Sequence, residues 1–159
     1  SNMLRFMIYD AACAYVPLSK EVRFISDYVE LMKLRLSSSI KLECNISTLH
    51  TEGLSIAPLL FLTLVENAFK HATNNGNFIN IEICTDGECV TCRVRNSCAE
   101  DNVNSSKPLT ESGVGLTNVE RQLRLLYPQS HVISLDRSDN VFTAEIKIQL
   151  NALHPLNTI

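Results

Sequence analysis

The chain has 159 residues, enough for one ordinary domain with an extra helix at one end. Its hydrophobic fraction is 45%, so a real core can form, burying roughly 70% of the unfolded surface in a domain of this size. The formal net charge is −3 and the charges are scattered, with no long run of one sign. That pattern argues against a nucleic-acid binder, which usually carries a basic stripe.

The most apolar stretch, residues 56–65, is about half the roughly 20 residues that a spanning helix needs. The N-terminus lacks the charged, apolar and small segments of a signal peptide, and Ser1-Asn2 is read as a remnant of tag cleavage. Any membrane attachment is therefore expected in parts of a parent protein outside this chain. Six cysteines are present, at 13, 44, 84, 89, 92 and 98. Cys89 and Cys92 have the C-x-x-C spacing of a zinc site, but no second pair answers them. Reduced thiols serving as small core residues are the simpler expectation.

Along the chain, Leu4, Ile8, Ala11 and Tyr15 recur at helical spacing up to Pro17. Ser19 is placed to cap a second helix with Glu21 in its first turn. In that helix Val22, Ile25, Val29, Met32 and Leu36 repeat every three or four residues. Residues 41–47 alternate through Leu42, Cys44 and Ile46 and read as a strand. Residues 56–72 read as a buried helix with Pro58 in its first turn. Residues 79–85 and 89–96 alternate around Asp86-Gly87, a hairpin signal.

Residues 97–112 are rich in Ser, Asn, Asp, Glu and Pro and show no periodicity. A loop of that length inside a domain is usually functional or disordered. Leu116, Val119, Leu123 and Leu126 mark an amphipathic helix ending before Pro128. Strands follow over 132–137 and 141–150, around a Ser138-Asp139-Asn140 turn. The expected organisation is an end of a linker helix over 1–17, a domain over 18–150 and a tail over 151–159. Adjacent strand pairs with helices between them predict an α+β fold, a mixed and mostly antiparallel sheet covered on one face by helices.

The 56–72 helix is apolar nearly all round except for Thr63, Glu66, Asn67, Lys70 and His71. Spacings of four put these on one stripe, and a polar stripe on a core helix costs free energy unless it has partners. Asn67 offers a neutral hard oxygen to Mg²⁺, which keeps waters and shares phosphate oxygens. Lys70 can neutralise phosphate, and Glu66 can orient a water or accept a proton. The competing reading is an exposed helix edge with a Glu–Lys pair. Ser112-Gly113-Val114-Gly115-Leu116-Thr117-Asn118 stands just before a helix. Its two glycines allow a ligand close to the backbone at an anion-attracting helix start, although a plain glycine-rich turn has the same look. Asn96 ends a strand; its amide can bond a base edge, or it can simply start a turn.

The order of these pieces is more specific than any one of them. Pro58-Leu59-Leu60 followed by Leu64-Val65-Glu66-Asn67-Ala68-Phe69-Lys70-His71 resembles the N box of LytS-like sensor histidine kinases. Gly113-Val114-Gly115-Leu116-Thr117-Asn118-Val119-Glu120-Arg121-Gln122-Leu123, with Leu126-Tyr127-Pro128 after it, resembles their second glycine box and the helix that follows. Leu18-Ser19-Lys20-Glu21, Tyr28-Val29-Glu30-Leu31 and Lys33-Leu34-Arg35 are similar to the segment joining the dimerisation helices to the ATPase domain. The resemblance runs over residues 4–150.

This resemblance implies a catalytic domain of the GHKL ATPase superfamily, a two-layer α/β sandwich that binds ATP with Mg²⁺ beneath a lid. It assigns Asn67 to Mg²⁺, Lys70 to phosphate and Glu66 to a supporting polar role. His71, Ser112, Gly113, Val114, Gly115 and Leu116 fall at the ATP, residues 97–112 at the lid, and Asn96 at the adenine. Asn96 stands where the superfamily usually has Asp, and Ser97-Cys98-Ala99 replace the usual glycines. Thr63 stands in place of an upstream Asn. A neutral acceptor binds an N–H less strongly than a carboxylate, so these departures bear on ATP affinity.

The family phosphorylates a histidine in a His-Phe motif. None of His50, His71, His131 and His154 is followed by an aromatic residue, so the acceptor is expected outside this chain. The implied whole is a homodimeric, two-component sensor kinase of a bacterial inner membrane with a response regulator as partner. This chain would be its cytoplasmic catalytic domain.

Overall fold

A computed structural model of the chain describes residues 15–47, 51–75, 78–98 and 114–150. The described elements are β1 (Val16–Pro17), α1 (Leu18–Lys33), β2 (Lys41–Ile46), β3 (Ser55–Ile56), α2 (Leu60–Asn75), β4 (Phe78–Asp86), β5 (Cys89–Ser97), α3 (Val114–Leu126), β6 (His131–Ser138) and β7 (Val141–Gln149). Five strands form the main sheet in the order β2-β4-β5-β7-β6, and β1 pairs with β3 as a separate ribbon. The β2–β4 pair is parallel and the other three are antiparallel. The mixed, mostly antiparallel sheet expected from the sequence is the one observed.

Alternation along the strands produces the sheet's two faces. Ile79, Ile81 and Ile83 of β4, Val90, Cys92 and Val94 of β5, and Phe142, Ala144, Ile146 and Ile148 of β7 are buried. They form one core with Val22, Phe24, Ile25 and Val29 of α1, Phe61, Leu64, Val65 and Phe69 of α2, and Leu116, Val119 and Leu123 of α3. Arg93 and Arg95 lie on the opposite, exposed face. The Tyr28 and Phe69 rings meet edge-on at 6.1 Å, joining α1 to α2. Both hairpins turn where positive φ is available: Gly87 at 61°, and Asp139 and Asn140 at 53° and 61°, residues that tolerate the left-handed region.

Three local expectations change. Val16 and Pro17 are not the end of a helix; they pair with Ile56 and Ser55, and residues 1–14 and 151–159 lie outside the described residues. Ser19 does not cap α1, whose N-cap is Pro17 at φ −55° and ψ 136° with no side-chain cap bond. The Leu18 N–H bonds Leu54 O at 2.9 Å, so α1 starts from the β1–β3 ribbon. Glu21 lies in the first turn of α1 as expected, and it is fully buried. The buried helix begins at Leu60 rather than 56: Ile56 belongs to β3, and Pro58 and Leu59 form a turn in which Leu59 has φ 67°.

Candidate nucleotide site

The polar stripe of α2 is present in the folded chain, and burial varies along it. Asn67 is buried, Glu66 and Lys70 are exposed, and Thr63 and His71 are half-buried. Tyr28 of α1 stands beside this stripe; burial raises its hydroxyl pKa, and the Glu66 charge raises it further. His71 is held below the usual imidazole range, first by burial and then by the cationic Lys70 and Arg137. Its Nε2 is buried and has no hydrogen-bond partner among the described residues. In the neutral imidazole that nitrogen is a donor or an acceptor according to the tautomer, and only as N–H can it meet an oxyanion.

The second glycine of the box touches this stripe directly. A Cβ built on Gly115 would lie 2.8 Å from Thr63 Cγ2. Real Cβ atoms do not come that close, so glycine is what allows the first turn of α3 to lie against α2. Leu116 is buried beside it. Val114 opens α3, while Ser112 and Gly113 lie outside the described residues. The fold therefore brings the start of α3 against the helix bearing Asn67, Lys70 and His71.

Asn96 is fully buried near the end of β5, opposite Ile79 and Phe142. It shares the helix-covered face with Cys92 and Val94. Its Nδ2 donates to Ser97 O at 3.0 Å, which engages the donor end of the amide; the expected adenine contact uses the oxygen end. Ser97, expected to open the long loop, instead completes β5, and its Oγ accepts the Phe78 N–H at 3.2 Å. Residues 99–112 of the expected lid lie outside the described residues. The C-x-x-C pair is separated by the sheet itself: Cys92 is fully buried in the core, and Cys89, an odd number of residues away, points to the other face.

Two residues that bind the turn before α2, Glu21 and Tyr127, fall within segments that carry the family resemblance, but the sequence assigned neither a role at the site. Glu21 accepts the Leu59 N–H with both carboxylate oxygens, at 3.1 and 3.2 Å. Burial pushes its pKa up to about 7 against the pull of backbone bonds from Leu59 and Phe61. The Tyr127 hydroxyl, at the end of α3, accepts the Ala57 N–H at 2.9 Å, and burial pushes its pKa up to about 12. A signal for Glu21 does exist, since Leu18, Glu21, Val22 and Ile25 share the apolar stripe's spacing. Tyr127 stands in the Leu126-Tyr127-Pro128 stretch of the resemblance, which says nothing of its partner.

No protein-family model matches the chain. A segment of 57 residues is 39% identical to the sensor protein LytS of Bacillus subtilis (strain 168), covering 36% of this chain and 9% of that protein. Among solved structures, the histidine kinase AdeS of Acinetobacter baumannii superposes with a TM-score of 0.58 at 14% identity, over 94% of this chain and 74% of that one. A blue-light activated histidine kinase of Erythrobacter litoralis gives 0.57 at 17% identity, over 82% of this chain and 42% of that one. The nucleotide-free catalytic domain of histidine kinase ThkA gives 0.52 at 17% identity, over 85% of this chain and 93% of that one. The chain has the fold seen in these histidine kinase catalytic domains, and a 57-residue segment of it is similar in sequence to the sensor protein LytS.

Proposed function

We propose that this chain binds ATP with Mg²⁺ and passes the γ-phosphoryl group to a histidine on dimerisation helices outside it. The observation that carries this reading is the contact of Gly115 with Thr63, which sets the anion-attracting start of α3 against the polar stripe of α2. The side chains fit the group. Asn67 would hold the metal through its amide oxygen, and Lys70 and His71 would face phosphate oxygens. Glu66 would order the polar groups around them, and the backbone of 112–116 would cradle the triphosphate. Asn96 would accept the adenine amino proton from the floor of the site. Bound Mg²⁺ would supply charge neutralisation between phosphate oxygens.

Phosphoryl transfer needs little covalent chemistry from a protein, so positioning and charge are what these residues contribute. The parent would be a homodimeric sensor anchored in a bacterial inner membrane, with this domain in the cytoplasm and a response regulator as the next acceptor.

A second reading, a regulatory nucleotide-binding module without catalysis, is favoured by one feature. Asn96-Ser97-Cys98-Ala99 stands where the superfamily has Asp and glycines. A thermal-shift titration with ATP, with and without Mg²⁺, tests binding. Transfer of labelled phosphate to a fragment bearing the dimerisation helices tests catalysis. A saturable rise in Tm with no transfer supports the second reading, and no rise overturns both.

A further inference from the structure

We propose that Glu21 is a positioning residue for this site: from α1 it clamps the first turn of α2 and so determines where Asn67 and its neighbours stand. A helix start has N–H groups without intrahelical partners and a partial positive charge. Here they are met by a carboxylate from another helix, 38 residues earlier in the chain. Both Glu21 oxygens take the Leu59 N–H, the Phe61 backbone also bonds the carboxylate, and the side chain is fully buried.

Leu59 itself sits at φ 67°, a conformation that a bulky residue keeps only when its surroundings over-determine it. The same turn is tied twice more. Pro17 and Val16 pair with Ser55 and Ile56, and Tyr127 takes the Ala57 N–H. The chain entering α1 is thereby joined to the base of α2, and Asn67 stands two turns further along the same rigid helix, about 10 Å away. A buried carboxylate is an expensive way to gain stability alone; what it provides is one defined seat for the helix.

The inference rests on the nucleotide-site reading for its consequence, though not for its geometry. The test compares Glu21→Gln, which keeps an acceptor oxygen, with Glu21→Ala, which removes it. Should the alanine variant not fold, Glu21→Asp, which withdraws the carboxylate by one methylene, takes its place. Without nucleotide, ¹H–¹⁵N spectra are expected to show displaced amides from Leu59 through Asn67, including the Asn67 side-chain amide, in E21A or E21D and near-native positions in E21Q. With Mg²⁺·ATP, E21A or E21D is expected to bind at least about tenfold more weakly per folded molecule and E21Q within about threefold of wild type.

A fall in Tm with unchanged α2 amides, or an E21Q spectrum as disturbed as that of E21A, overturns the proposal. If wild type itself binds no ATP, the nucleotide reading fails while the spectra still decide the role of Glu21.

Discussion

Gly115, in the first turn of α3, faces Thr63 of α2 with no room for a side chain between them: a Cβ would meet Thr63 Cγ2 at 2.8 Å. Thr63 is β-branched and stiff about χ1, so it does not simply swing aside. Gly115→Ala is expected to lower stability by about 1–3 kcal/mol through overpacking and to weaken nucleotide binding by spreading α3 from α2. Thr63→Ala in the same chain removes the opposing methyl and should restore most of the loss. Urea unfolding of the two single variants and the double variant measures this. A Gly115→Ala protein as stable as wild type would show that the helices approach less closely.

Asn67 is the buried member of the α2 stripe and the proposed holder of Mg²⁺. Asn67→Ala should weaken ATP binding in the presence of Mg²⁺ by roughly tenfold or more, the scale of a lost interaction with a charged group. Binding in EDTA should change much less. Calorimetric titration under the two conditions checks this, and equal losses in both would remove the metal role.

Glu21 has a folded pKa of about 7 against an ordinary value of 4.5. Between these values the folded chain holds a proton that the unfolded chain has released, so stability must fall as pH rises through that window. The contribution is fully present below about pH 4.5 and lost above about pH 7, amounting to about 3 kcal/mol. Glu21→Gln carries no titrating group there. The stability difference, wild type minus E21Q, should therefore decline from pH 4.5 to 7 and then flatten. Urea unfolding of both proteins across pH 4–8 reads it directly; a pH-independent difference would contradict the burial-driven shift.

The chain alone should bind ATP without phosphorylating itself. In-line transfer needs an acceptor nitrogen within about 3–3.5 Å of the phosphorus. His71 shares α2 with the proposed metal and phosphate ligands and is poorly placed opposite the leaving group. His131 lies on β6, where Nδ1 engages Tyr127 O. A separate fragment bearing the dimerisation helices should accept phosphate weakly, because separate pieces lack the roughly millimolar effective concentration of a tether. Labelled ATP and acid-lability of the product provide the readout. Acid-labile phosphate on this chain alone would place the acceptor inside it.

The elements that local pattern governs are legible in the amino-acid sequence. Alternation with Asp86-Gly87 and Ser138-Asp139-Asn140 predicts both hairpins, and the strands run close to the expected limits. Helical periodicity marks α1 and α3, and the N-box and glycine-box motifs single out Asn67 and Gly115. In each case one short stretch carries the whole signal, through side chains two, three or four residues apart.

Sequence therefore dictates the list of parts, the hairpin pairings and the residue types offered at the site. How the parts meet is settled only by packing. The β1–β3 ribbon is two residues on each strand, too short to show a period. The base of α2 moves from 56 to 60 because Ile56 pairs with Val16 and Leu59 is held by Glu21. Tyr127 reaches Ala57 across 70 positions, and Thr63 meets Gly115 across the junction of two helices. Such contacts depend on burial and on the satisfaction of backbone groups that only the packed chain brings together, so no local spacing encodes them.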